Sequence, residues 1–453
     1  YTIDGCIDWL TGTAPDKMFF PLWKEVGAIQ NNEFVYFDEY HRYTDTDGNT
    51  LIFYLDPKKL KEELMRHSPE DEKAIDELCG LLKLFKGFKP PVFKAVELMN
   101  FFDKLKLMPQ MMRDGKIYKA YFKYGKISMA DFADKFKSKI IRDMLRTTWG
   151  DGDMPMPLFL GTMAWCSNKT AGYPIGGSLK LSRDIEKRYL SLGGIVNYNK
   201  RVEKILIKDG KAIGIQLSDG SKLYADIIIS ASDIHSVIYN MLDGKCITSK
   251  QKEWFDNMPT FNPYIQVSFG INRNMDAQPH LIYQRLKDPI IIANEPTSYM
   301  IIHNYAFDKT LADEGKTSFA VRFFSKFEYW NELYKDKNKY NDVKAKLAHE
   351  VIDRLEQLYP GIADQIEVYD IATPATYVRY TNIYRGATMG FLPTKENFNQ
   401  NLEKTIPGLE NFYLIGQWLT PGGGLPNALK SARDAVQIIC KIDKIKFKTQ
   451  TPN

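Results

Sequence analysis

Long apolar runs are missing from this sequence of 453 residues. None approaches the roughly 18 residues needed to span a bilayer as a helix. Cysteine is scarce: Cys6, Cys79, Cys166, Cys246 and Cys440 are scattered, with no CxxC pair and no histidine at zinc spacing. The six histidines form no spaced pair either. A disulfide framework and a structural metal site are thereby excluded as the basis of the fold, and a reducing, cytoplasmic setting is the simplest expectation. No internal repeat and no low-complexity tract occurs, which removes solenoids and disordered linkers. The net charge of +5 is small for this length and gives no reason to invoke nucleic acid. Also absent is any Gly-x-Gly-x-x-Gly, the turn that brings a dinucleotide pyrophosphate to a helix N-terminus.

What is present reads as a large folded chain, 44% apolar and 26% charged. Residues 57–170 carry helical patterns, with Pro57 and the acidic run Glu70-Asp71-Glu72 as start signals. Residues 190–231 are strand-rich. Val202 to Ile207 and Ala212 to Leu217 flank Asp209-Gly210, a hairpin turn, and Ile227-Ile228-Ile229 predicts a strand buried on both faces. Strand-like segments Tyr264 to Phe269 and Ser318 to Phe324 precede a helix near 340–358, which stops at Tyr359-Pro360-Gly361. The strand Phe412 to Ile415 then runs into a glycine-rich loop and a helix from about Asn427.

That last segment carries the most information. In Gly416-Gln417-Trp418-Leu419-Thr420-Pro421-Gly422-Gly423-Gly424-Leu425-Pro426-Asn427-Ala428, three consecutive glycines allow close backbone approach and positive φ. The helix behind them aims free N–H groups and a partial positive charge at whatever lies in front. The strand, Gly-x-x-x-x-Pro-Gly-Gly-Gly-Leu-Pro and helix resemble the flavin-contacting segment of the phytoene desaturase, carotenoid isomerase and retinol saturase family. Tyr173-Pro174-Ile175-Gly176-Gly177-Ser178 with Leu192-Gly193-Gly194 is a second match. The hairpin from Val202 leading to Ala225-Asp226-Ile227-Ile228-Ile229-Ser230-Ala231 is a third, and Thr373-Pro374-Ala375-Thr376 with Arg379-Tyr380 a weaker fourth. They follow the family's order along nearly the whole chain.

The resemblance implies an α/β fold: a discontinuous Rossmann-like FAD-binding domain (1–15, 170–258 and 405–445) and a mixed-sheet plus helical substrate domain (16–169 and 259–404). It implies FAD as cofactor. Val202 would offer backbone groups to the adenine end, and Ser230 and Ala231 would lie beside the dinucleotide. Gly416, Gly423, Gly424, Leu425, Pro426, Asn427 and Ala428 would meet the pyrophosphate, ribityl chain and isoalloxazine. His303, Tyr305, Arg322, Arg379 and Tyr380 are candidates to line a substrate cavity. No residue is singled out as catalytic and none as a metal ligand, since a flavin itself carries the hydride or electron transfer. The implied activity is desaturation, saturation or isomerisation of C–C double bonds in an apolar, carotenoid- or isoprenoid-like substrate. The alternative is a non-catalytic lipid- or membrane-surface-binding protein that kept the fold and lost the cofactor.

Two features depart from an ordinary member. Tyr1-Thr2-Ile3-Asp4 resembles the segment just past the family's dinucleotide fingerprint, so a βαβ unit of roughly 30 residues is expected ahead of Tyr1, and residues 1–453 alone should hold FAD poorly. Residues 81–145 carry fifteen Lys and Arg against six Asp and Glu, interleaved with Phe85, Phe88, Phe93, Phe101, Phe102, Met108, Met111 and Met112. Helices of that composition suit the surface of an anionic membrane, so a peripheral membrane contact is expected there.

Overall fold

The computed structural model describes residues 1–15, 18–88, 94–150 and 152–452; Lys89 and Phe93 of the basic region lie outside them. Its largest sheet has seven strands in the spatial order Ile366–Ala372, Tyr264–Ile271, Thr317–Phe324, Glu295–Asn304, Leu281–Ile292, Glu39–Thr44 and Thr50–Tyr54. Neighbours are antiparallel except Glu39–Thr44, which runs parallel to Leu281–Ile292. That one parallel pairing joins an early segment to strands more than 200 residues later.

Alternation along the strands assigns the two faces of this sheet. Ile265, Val267, Phe269, Phe319, Val321, Phe323, Met300 and Ile302 pack in one cluster with Leu347, Ala348, Val351 and Leu355 of the helix Lys337–Leu358. The intervening residues Gln266, Ser268, Arg322 and His303 are buried on the other face. There the N-terminal segment lies across them: Gln266 Nε2 donates to the Asp4 carbonyl at 3.2 Å and Tyr264 OH to the Gly5 carbonyl at 2.6 Å.

The second sheet contains Thr405–Ile406, Leu409–Leu414, Lys211–Leu217 and Val202–Lys208 in that order. Ile228–Ser230 pairs in parallel with Phe412–Leu414. The hairpin forms where Asp209-Gly210 predicts it, with Asp209 and Gly210 both at positive φ. Ile227-Ile228-Ile229 departs from expectation. Ile227 and Ile228 are only half-buried and Ile229 is 44% exposed. The physical reason is that, among the described residues, this strand has a sheet neighbour on one side only.

A small three-stranded sheet is formed by Leu10–Thr11, Ala171–Pro174 and Phe34–Val35 in that order, Ala171–Pro174 at its centre. The Asp4 carboxylate accepts from the Ser178 backbone at 2.8 Å and so caps the helix Gly177–Ser191. The described residues between 57 and 167 are mainly helical as the pattern predicts, beginning with Pro57–His67, whose N-cap Asp56 accepts from the N–H groups of Lys58 and Lys59. The C-terminal helix starts at Gly424 rather than Asn427 and runs to Ile442.

Candidate active site

The C-terminal loop is folded by its glycines. Gly416 has φ 111° and Gly423 φ 42°. A side chain on Gly423 would put its Cβ 2.0 Å from the Met389 carbonyl oxygen, so that position tolerates no substituent. Gly422 and Gly424 differ: around each, a Cβ would meet nothing nearer than 3.8 Å. Open space therefore lies beside the first turn of a 19-residue helix, whose leading N–H groups have no intrahelical partner. That turn is half-exposed to exposed from Gly424 to Ala428, with Leu425 at 47%. Asn427 turns inward, its Nδ2 donating to the Gly423 carbonyl at 2.7 Å.

The strand before the loop brings further predicted residues to the same corner. The Ile415 N–H donates to the Ser230 carbonyl at 2.9 Å, and the Ala231 carbonyl stands 3.4 Å from where a Cβ on Gly416 would lie. The Gly416 N–H donates to Ser431 Oγ at 2.9 Å, which pins the loop to its own helix. Ser230, Ala231, Gly416 and the first turn of the helix thus converge. Val202 stays in the hairpin, half-buried and opposite Leu217.

One turn further along, Leu429 packs on a cluster containing Leu10, Tyr173 and Tyr305. Tyr173 and Tyr305 also line a small cavity of about 50 Å³ that opens to solvent. Trp9, Phe37, Tyr40 and Phe307 supply its aromatic wall; Asp8, His280 and His303 supply polar atoms. The His280 ring lies flat on Phe37, centroids 3.6 Å apart. Burial pushes His280 down to about 4 and, with Arg322 nearby, holds His303 well below the usual imidazole range. Burial also drives the Tyr305 phenol above its ordinary value. At neutral pH, then, the cavity presents neutral imidazoles and a protonated phenol: hydrogen-bonding groups, not a poised acid or base.

Arg322 stands directly behind this wall. Its Nη1 donates to both Asp8 oxygens at 3.1 and 3.3 Å, its Nε to Gln266 Oε1 at 2.8 Å and its Nη2 to Tyr305 OH at 3.2 Å. Burial, the largest single effect, opposes its charge, yet Asp8 together with the neighbouring phenols of Tyr305, Tyr264 and Tyr377 outweighs it and holds the guanidinium above its usual value. Of the predicted cavity residues, His303 and Tyr305 line it and Arg322 braces it. Arg379 and Tyr380 are elsewhere, exposed on the helix Pro374–Thr381, the guanidinium 4.5 Å from the Tyr380 ring centre. Sequence reasoning missed Asp8, Phe37, Tyr173 and His280. Asp8 left a signal as a lone charge in the run Cys6-Ile7-Asp8-Trp9-Leu10, and Tyr173 opened a matched motif without being read as a cavity residue.

The fold is that of an α/β protein in which a glycine-turned helix N-terminus, with open space before it, lies near an aromatic-lined cavity. The chain belongs to the flavin containing amine oxidoreductase family, whose profile matches residues 7–440. It is 26% identical over 387 residues to prolycopene isomerase 1, chloroplastic, of an Oncidium hybrid cultivar, covering 80% of this chain but 62% of that relative's length. It is 21% identical to the lycopene-forming phytoene desaturase of Pseudescherichia vulneris, covering 88% of this chain and 82% of that one. Among solved structures, an oxidoreductase from Methanosarcina mazei superposes with a TM-score of 0.54 at 13% identity, over 94% of this chain and 87% of that one. This last likeness concerns the fold alone.

Proposed function

We propose that this chain acts as an FAD-dependent oxidoreductase on C–C double bonds of an apolar, carotenoid- or isoprenoid-like substrate. The carrying observation is the convergence of Ser230, Ala231, Gly416 and the Gly424 helix start beside an aromatic cavity, in a chain of flavin family membership. The flavin, when bound, supplies the hydride or electron transfer. The loop residues fit its isoalloxazine end. Gly422 and Gly424 permit close approach, and the helix N-terminus favours negative charge there. In this reading Val202 serves the adenine end. Trp9, Phe37 and Tyr40 hold the substrate and keep water out. His303 and Tyr305 orient it, held in place by Arg322 and Asp8. Substrates of this class dissolve in lipid, and a peripheral membrane contact belongs to the same reading. The relatives named for prolycopene and phytoene support the substrate class.

The test is an absorption spectrum of the purified natural protein after addition of FAD, followed by anaerobic incubation with a detergent-dispersed polyene. Flavin bands released on denaturation, and a changed polyene spectrum, are expected. No flavin retained under any loading condition would favour the lipid-binding alternative and overturn the enzyme reading.

A further inference from the structure

Helix Phe101–Arg113 is turned inside out relative to an ordinary surface helix. Phe101, Leu105, Met108 and Met112 recur at i, i+4, i+7 and i+11, so they share one face. That face points to solvent: the four are 70%, 41%, 50% and 78% exposed. The residues half a turn away, Asp103, Leu107 and Gln110, are the half-buried ones. None of the thirteen residues is buried. Exposure of that much apolar side chain costs free energy unless something covers it.

The helix is nevertheless firmly placed. Asn100 and Asp103 close a capping box at its start. Just before it, the Ala95 N–H donates to Gln437 Oε1 at 2.9 Å and Lys404 Nζ reaches Glu97 at 2.8 Å. Both contacts fasten the approach to the part of the molecule that carries the C-terminal helix.

Charge identifies what covers the stripe. Lys104 and Lys106 flank it, and Lys116, Lys119, Lys123 and Lys126 follow, all exposed. The acidic residues of the same stretch are engaged: Asp103 with Lys94, Glu97 with Lys404, Asp114 with Arg113. A second copy docking through the same patch about a two-fold axis would set this basic rim against itself. An anionic lipid surface matches both features, taking the stripe among its acyl chains and the rim among its headgroups. No helix among the described residues is long and apolar enough to cross a membrane, so the contact is one of lying on the surface.

We infer that helix Phe101–Arg113 is the element by which this protein docks on anionic bilayers, lying in the interface with Phe101, Leu105, Met108 and Met112 inserted. The inference rests on the proposed function for its purpose, since an apolar substrate would be loaded there, but not for its geometry. Vesicle co-sedimentation of the full chain tests it, with phosphatidylglycerol or phosphatidylcholine vesicles. Wild type should bind phosphatidylglycerol at least about tenfold more tightly than phosphatidylcholine, and added salt should weaken it. The triple variant Phe101→Gln, Leu105→Gln, Met108→Gln alters only exposed side chains and should lose about tenfold or more on phosphatidylglycerol. Lys104→Gln with Lys106→Gln should lose several-fold there and nothing on phosphatidylcholine. Equal binding to both lipids, or a triple variant that binds as wild type does, would overturn the inference. So would a wild-type dimer that the triple variant converts to monomer without any vesicle binding. Polyene turnover in detergent reports on the proposed function separately: turnover with no vesicle binding sinks only the docking, and vesicle binding without flavin sinks only the enzyme.

Discussion

Gly423 and Gly422 stand side by side in the loop, yet substitution should affect them differently. Gly423→Ala pushes a Cβ into the Met389 carbonyl, a rigid backbone atom 2.0 Å away, in addition to the strain of φ 42° with ψ −137°. A loss of about 3 kcal/mol is expected from clash and strain together. Gly422→Ala, at φ 93° with its nearest neighbour 3.8 Å away, suffers backbone strain alone, about 1–2 kcal/mol. Thermal unfolding of both variants, with FAD retention measured by fluorescence, should rank Gly423→Ala as worse on both counts. The reverse order would mean that the open space beside Gly422 is already filled. The Asp8–Arg322 pair has its own asymmetry. Asp8 is about a third exposed on its side chain and Arg322 is 9% exposed. Removing Asp8 leaves a buried cation without its counter-charge, so Asp8→Ala should cost about 3 kcal/mol. Arg322→Met leaves a carboxylate that water can reach, and should cost roughly half as much. Urea midpoints decide the matter, and a larger loss in Arg322→Met would refute the argument.

Elements that carry their own punctuation were legible in the sequence. The hairpin around Asp209-Gly210, the helix ended by Tyr359-Pro360-Gly361 and the loop before Gly424 each form where local chemistry requires them. Pairing and orientation were not legible. Ile227-Ile228-Ile229 has the composition of a doubly covered strand, but burial depends on what lies alongside, and Leu409–Leu414 is its one neighbour among the described residues. The apolar periodicity of Phe101–Arg113 is plain in the sequence, yet periodicity says only that a helix has two faces, not which one meets the protein. The cavity was hidden for a related reason. Phe37 and Tyr40 reach His280 and Leu281 only because Glu39–Thr44 pairs in parallel with a strand far along the chain. His303 and Tyr305 were found from the segment that holds them. Arg379 and Tyr380 were chosen on the same grounds and lie outside, because the helix Pro374–Thr381 turns them to solvent.

For the molecule as a whole, the buried histidines set a pH limit on stability. His41 is fully buried against Phe53 and Tyr283, its Nδ1 without a hydrogen-bond partner, and burial pushes it down to about 3. His280 is pushed down to about 4 by burial in the cavity wall, and His303 is lowered in the same direction. The unfolded chain takes up these protons near pH 6.5, whereas the folded chain resists until near pH 4 and pH 3. Stability from these groups is therefore complete above about pH 6.5 and drains away as the pH falls. At about 1.4 kcal/mol per group and pH unit, His41 and His280 together remove roughly 4 kcal/mol between pH 6.5 and 5. Carboxylates with lowered values, such as Asp71 and Glu63, act at lower pH and leave this window to the histidines. His41→Phe keeps the flat packing on Phe53 and removes a buried polar atom that has no partner. Its urea midpoint should equal or exceed wild type at pH 7 and should fall clearly less between pH 7 and pH 5. An unchanged fall would show that the loss in mild acid comes from other groups and that His41 titrates alike in the folded and unfolded chain.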